Sequence, residues 1–158
     1  MASGLPLSAT VSRARLMDWE AGSHASTFGG NPLACVAAMK VLEIIKKEKL
    51  LENAEKQGNY IMKWLRDTKE EHEIVGDVRG KGLMIGIEFV EDKESKKVGP
   101  DQAREVMLRC WRRGIAIVTC GVSTLRLVPP LTITQDLVDS SLEIIGDVIK
   151  EVDEEFSS

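Results

Sequence analysis

The residues best suited to chemistry in this chain stand together at Ser26-Thr27-Phe28-Gly29-Gly30-Asn31-Pro32. Small hydroxyl residues and paired glycines lie directly before a helix start. There, unpaired N–H groups and the helix dipole attract an anion such as a phosphate. The hydroxyls of Ser26 and Thr27 can add hydrogen bonds, and glycine lets backbone approach the anion closely. A capped loop without a ligand has the same composition, so both readings stay open here. The second candidate is Arg126, within Thr124-Leu125-Arg126-Leu127-Val128. Alternation puts Leu125 and Leu127 on one face of a strand and the arginine on the other. An arginine so placed can hold a carboxylate through two parallel N–H bonds. The plainer reading is an exposed arginine on an edge strand.

Other chemistry-bearing residues carry less. Arg79-Gly80-Lys81-Gly82 lacks the spacing of a phosphate-binding P-loop and leads into a strand, so a structural turn is expected. His24 and His72 have no ligand partners at metal-binding spacing and read as a loop residue and a helix-end residue. Cys35, Cys110 and Cys120 form no C-x-x-C pair, so no zinc site and no disulfide framework is expected. Each is read as a small buried apolar residue. No metal site is expected.

The elements that must position these groups follow from spacing. Residues 5–11 read as a strand. Asn31 is a good N-cap and Pro32 suits the first helical position, opening a helix over Leu33 to Ile45 that is apolar on nearly every side and therefore expected to be deeply buried. A second helix runs from about Leu50 to Lys69, with Leu51, Ala54, Gly58, Ile61 and Leu65 in one stripe. Gly82 to Phe89 alternates as a strand, joined to residues 74–79 through a turn at Gly80-Lys81. Pro100 opens a third helix that Gly114 ends, with Ala103, Val106, Met107 and Cys110 inward. Ile115 to Thr119 and Thr124 to Val128 are strands, and Pro129-Pro130 stops the second. Thr134 caps a last helix whose buried side carries Val138, Ser141, Leu142, Ile145, Ile149 and Val152.

Length and charge bound the function. At 158 residues and a net charge of −4, the chain suits one domain, or one domain plus a piece of another. A sequence pI of about 5.3 gives no basic surface for nucleic acid. No apolar run reaches membrane-spanning length, and no signal-peptide pattern opens the chain, so a cytoplasmic protein is expected.

Four ordered segments carry a family resemblance: Ser3-Gly4-Leu5-Pro6-Leu7-Ser8-Ala9, His24 through Cys35, Val78-Arg79-Gly80-Lys81-Gly82-Leu83-Met84-Ile85-Gly86-Ile87-Glu88, and Leu125 through Thr134. Together they resemble the C-terminal portion of class III pyridoxal-phosphate aminotransferases, the 4-aminobutyrate and ornithine aminotransferase-like enzymes. The resemblance implies an α/β fold of the fold-type I class. Residues 1–48 would be a remnant of the large cofactor domain, 49–70 a connecting helix, and 71–158 a small α+β domain with a short antiparallel sheet. It implies that Ser26 and Thr27 bind the phosphate of pyridoxal 5'-phosphate across a dimer interface, and that Arg126 grips the substrate α-carboxylate. Amino-acid and 2-oxo-acid substrates and a homo-oligomer follow.

In the family a lysine holds the cofactor covalently and moves the proton at the substrate Cα. It stands just before the segment matching Met1 to Pro6, about two positions ahead of the first residue here. The first lysine present is Lys40, inside the first helix. No catalytic residue is therefore assigned, and this chain by itself is expected to be inactive. Two alternatives are kept: part of a pyridoxal-phosphate-dependent amino-acid racemase of the same family, and a non-catalytic binding or interaction module.

Overall fold

The computed structural model describes residues 1–20 and 22–156. The chain divides into two compact units, Met1–Leu50 and Leu51–Ser158.

The first unit is built on one long helix, α1 (Pro32–Lys47). Asn31 caps it: its side-chain oxygen accepts from the Ala34 N–H at 2.9 Å, and Pro32 fills the first position. Lys46 and Lys47 close the last turn, where positive charge suits the helix dipole. Residues 5–11 do not form the expected strand. A strand exists through a backbone ladder to a neighbour, and the described residues of this unit offer only an isolated bridge between Ala2 and Leu5. The burial expected of α1 is also not found. Ala34 and Ala38 pack with Ala2 in a small cluster, while Leu33, Val36 and Met39 are exposed to 69%, 64% and 65%. A helix that is apolar all round needs neighbours on every side, and this unit supplies them on one.

The second unit has the larger core. Helix α2 (Leu50–Glu71) leads into strands β1 (Val75–Lys81) and β2 (Met84–Phe89). Helix α3 (Pro100–Arg112), strands β3 (Val118–Cys120) and β4 (Thr124–Leu127), and helix α4 (Gln135–Phe156) complete it. The four strands form one sheet in the order β1-β2-β4-β3, with antiparallel neighbours throughout. One face of the sheet is apolar. Val78, Ile85, Ile87, Leu125 and Leu127 alternate onto it and are buried with Leu65 of α2, Val106 of α3 and Val148 and Ile149 of α4. Alternation in β2 falls as the sequence predicts, with Ile85, Ile87 and Phe89 almost fully buried and Met84 exposed.

Several boundaries shift. Lys81 still pairs with Met84, so the β1–β2 turn sits at Gly82-Leu83, not at Gly80-Lys81. Gly82 takes φ +55°, which a side chain resists, and that fixes the turn there. The strand expected over Ile115 to Thr119 is the shorter β3, which begins at Val118. Leu51 is exposed, so the buried stripe of α2 begins at Ala54 and runs through Gly58, Ile61 and Leu65. Gly58 packs backbone to backbone on the β1–β2 turn: a Cβ there would stand 2.2 Å from the Gly82 carbonyl oxygen.

Polar contacts tie the ends of this unit together. Asp153 of α4 accepts from the Ile74 N–H at 3.2 Å and lies 3.0 Å from the His72 ring nitrogen, joining α4 to the segment between α2 and β1. Arg113, the residue that caps the C-terminus of α3, pairs with Glu151 of α4 at 2.5 Å, and Arg109 of α3 also reaches Glu155. These pairs are exposed, and such contacts contribute about 0–1 kcal/mol each. Of the cysteines only Cys110 is buried; Cys35 and Cys120 are exposed. Cysteine's usual preference for burial was outweighed by position, since Cys120 ends an exposed strand. Burial pushes the Cys110 thiol up to about 11. Among the described residues no helix is long and apolar enough to cross a membrane, and no cluster of side chains suits a metal ion.

Candidate functional site

The loop before α1 is held by its own polar groups. The Ser26 hydroxyl oxygen accepts from the Gly29 N–H at 3.1 Å, and the Asn31 side-chain amide donates to the Phe28 carbonyl at 2.7 Å. These two bonds, with the Asn31 cap, set the path of the chain into the helix. Gly29 fits because it lacks a side chain: a Cβ would lie 3.0 Å from the Ser26 Cβ. Gly30 follows at φ +75°.

This geometry leaves donors free. The Ser26 oxygen accepts within the turn, so its own hydrogen is available to an outside acceptor. The Thr27 hydroxyl has no hydrogen bond among the described residues and is exposed. Ser26, Gly29 and Gly30 line an open cleft of about 600 Å³ whose other wall includes Leu5, Leu7 and His24. His24 stacks on Trp19 with ring centroids 5.4 Å apart. A hydroxyl hydrogen, glycine backbone and the positive end of a 16-residue helix together suit a phosphate oxygen. The residues present therefore fit the phosphate end of pyridoxal phosphate.

Lys40 does not belong to this loop. It lies eight residues beyond Pro32, about 12 Å along the helix axis at 1.5 Å per residue. The burial expected for it is not found: its side chain is 70% exposed and pairs with Glu43 at 2.6 Å. That hydrogen bond raises its pKa, with the Glu43 charge adding to the effect. An amine held as an ammonium on an exposed helix face is a poor nucleophile.

Arg126 lies in the second unit, on β4. The edge-strand reading is corrected by the sheet order, because β4 runs between β2 and β3, with Gly86 on one side of Arg126 and Val118 on the other. Its side chain is exposed on the face opposite the core, and it makes no ion pair among the described residues. Beside it on that face, Arg79 of β1 is bonded to Glu88 of β2 and, at 3.0 Å, to Asp77. The sequence reading missed this trio. The signal was present in the alternation, which puts Glu88 opposite the buried Ile85 and Ile87. What was lacking was the pairing that brings Arg79 next to it. Ser26 and Thr27 thus belong to the first unit and Arg126 to the second.

Comparison with known proteins gives a consistent result. The family model described as class-III aminotransferase matches residues 1–149. The leucine/methionine racemase of Thermococcus litoralis is 44% identical over 98% of this chain and 35% of its own length. The 4-aminobutyrate aminotransferase GabT of Escherichia coli is 38% identical over 96% of this chain and 36% of its own. Among solved structures, a Bacillus anthracis aminotransferase superposes with a TM-score of 0.75 at 37% identity, covering 82% of this chain and 30% of that one. The chain spans about a third of the length of the curated relatives it matches.

Proposed function

The chain belongs to the class III aminotransferase family, whose enzymes depend on pyridoxal phosphate, and from that premise we propose that it is the C-terminal part of an enzyme moving an amino group between an amino acid and a 2-oxo acid. Residues 1–48 then supply a remnant of the large cofactor domain, 49–70 a connecting helix and 71–158 the small domain. Ser26 and Thr27 hold the cofactor phosphate, with the α1 dipole adding to their hydrogen bonds. Arg126 fixes the substrate by its α-carboxylate and so orients the Cα that reacts. When bound, pyridoxal phosphate supplies an electron sink that stabilises negative charge at that carbon. The covalent amine and the proton carrier are assigned to no residue of this chain.

The observation that supports this reading most is the Ser26–Asn31 loop, a phosphate seat with free hydroxyl hydrogens at a capped helix start. Its partner in the whole enzyme is a second subunit. Phe28, Leu33 and Val36 are all more than 60% exposed around the seat, which suits burial in a homo-oligomer. The three unpaired thiols suit the reducing cytoplasm.

The test is a comparison of ligands. Pyridoxal phosphate should bind the chain more tightly than pyridoxal, which lacks the phosphate. The S26A/T27A double substitution should remove about tenfold or more of that preference, as loss of charge-assisted hydrogen bonds does. Equal binding of both ligands would remove the phosphate seat from the proposal.

A second reading is favoured by one observation, the 44% identity to a racemase. Both activities need a carboxylate grip and the same cofactor, so Arg126 and the phosphate seat serve either. Whole enzyme carrying this segment separates them. Amino-group loss that requires a 2-oxo acid marks a transaminase, and inversion at Cα without an acceptor marks a racemase.

A further inference from the structure

The sheet face that carries Arg126 holds a carboxylate within its reach. Register places Arg79, Gly86, Arg126 and Val118 in one row across the four strands, and Asp77, Glu88, Thr124 and Cys120 in a neighbouring row. Partners in register project to the same side of a sheet. Glu88 is therefore a diagonal neighbour of two arginines: Arg79 on β1, and Arg126 on β4. Diagonal neighbours stand about 7–8 Å apart at Cα, near enough for long side chains to meet. Between the arginines lies Gly86, which puts no side chain in the way. A Cβ there would stand 3.2 Å from the Thr124 methyl carbon, a tight contact.

Glu88 is thus placed to choose, and the structure records its choice. It is bonded to Arg79, whose guanidinium also takes Asp77 at 3.0 Å. Arg126 is left without an ion pair among the described residues. An arginine meant for an incoming carboxylate gains nothing from a carboxylate of its own, because the ligand would first have to displace it.

We propose that Arg79 is a positioning residue, which holds Glu88 away from Arg126 and so keeps the Arg126 guanidinium open to a carboxylate ligand. The inference rests on the reading of Arg126 as a carboxylate grip. Arg79 touches no ligand itself. Asp77 supports it as a second anchor, drawing the guanidinium along β1 away from β4, and Lys69 of α2 lies 3.8 Å from Asp77.

The test uses the 158-residue chain and nitrogen-15 spectra of arginine Nε–Hε groups, with the Arg126 signal identified by its absence in R126K. Acetate is the probe. In R79M without ligand, the Arg126 signal should move toward the position that acetate induces in the parent protein, because Glu88 now occupies the guanidinium. Acetate affinity should fall about two- to five-fold, which is what competition from one exposed pair can exert. R79M/E88Q should return both signal and affinity to the parent values, and this rescue separates lost positioning from a damaged fold. R79K, which keeps a cation beside Glu88, should lie nearer the parent than R79M does. An Arg126 signal unmoved in R79M overturns the role of Arg79, even where acetate titrates Arg126. An Arg126 signal indifferent to acetate in every variant overturns the grip reading underneath it.

Discussion

The two units solve the burial problem differently. In Leu51–Ser158 the apolar residues of four strands and three helices close on one another, and Phe89, Leu65, Val106 and Ile149 reach full burial. In Met1–Leu50 the buried cluster is three alanines, and Leu33, Val36, Met39 and Leu42 of α1 face outward. A helix gains stability mainly by packing its apolar surface, so the second unit has far more packing to hold its shape than the first. The difference teaches where a site can be read from one chain. Arg126 stands on a sheet fixed from within its unit, whereas the proposed phosphate seat stands at the start of a helix with much of its apolar surface exposed.

Truncations should show the contrast most strongly. Phe89→Ala should cost about 3–5 kcal/mol of unfolding free energy, and Leu42→Ala, on the outer side of α1, less than about 0.5 kcal/mol in the same chain. Denaturant titration checks both, and similar losses at the two positions would break the comparison. A smaller effect is expected from Asn31→Ala. Loss of its cap bond should cost about 1 kcal/mol locally. Amide hydrogen exchange should quicken in α1 and stay unchanged in α4. Exchange that rises equally in both would mean the units open together.

The smallest effect concerns the thiols. Cys35 and Cys120 should react at once with a thiol reagent near neutral pH, and Cys110 only after denaturation. Burial raises the Cys110 thiol from an ordinary 9.0 to about 11 in the folded state. The stability it contributes is therefore complete below pH 9 and lost as pH rises toward 11. Unfolding free energy measured across that window should decline, and Cys110→Ala should flatten the decline. A slope that survives this substitution would point to other groups.

Much of the second unit was legible in the residues. Alternation in Gly82 to Phe89 and helical spacing in α2, α3 and α4 are local signals, and each names its buried face. The site residues were legible as types: hydroxyls and glycines before Asn31-Pro32, and an arginine between leucines. What the chain could not show locally was neighbourhood. The position of β4 inside the sheet, the pairing that sets Arg79 against Glu88, and the exposure of α1 all depend on what lies alongside. Residues 5–11 failed as a strand for the same reason, since β-rich composition makes no ladder without a partner. The misplaced β1–β2 turn had a local cause: several glycines were available there, and the left-handed backbone at Gly82 decided among them.

The placement of Arg126 on an interior strand would tie the proposed carboxylate grip to the ladder itself. Its Cα is fixed by backbone pairing on both sides, and a slip of one residue would turn the guanidinium into the apolar core and bring Leu125 or Leu127 out to water. Under the proposed role, changes around the arginine would retune which carboxylates are accepted, while the anchor point stays put for as long as the sheet exists.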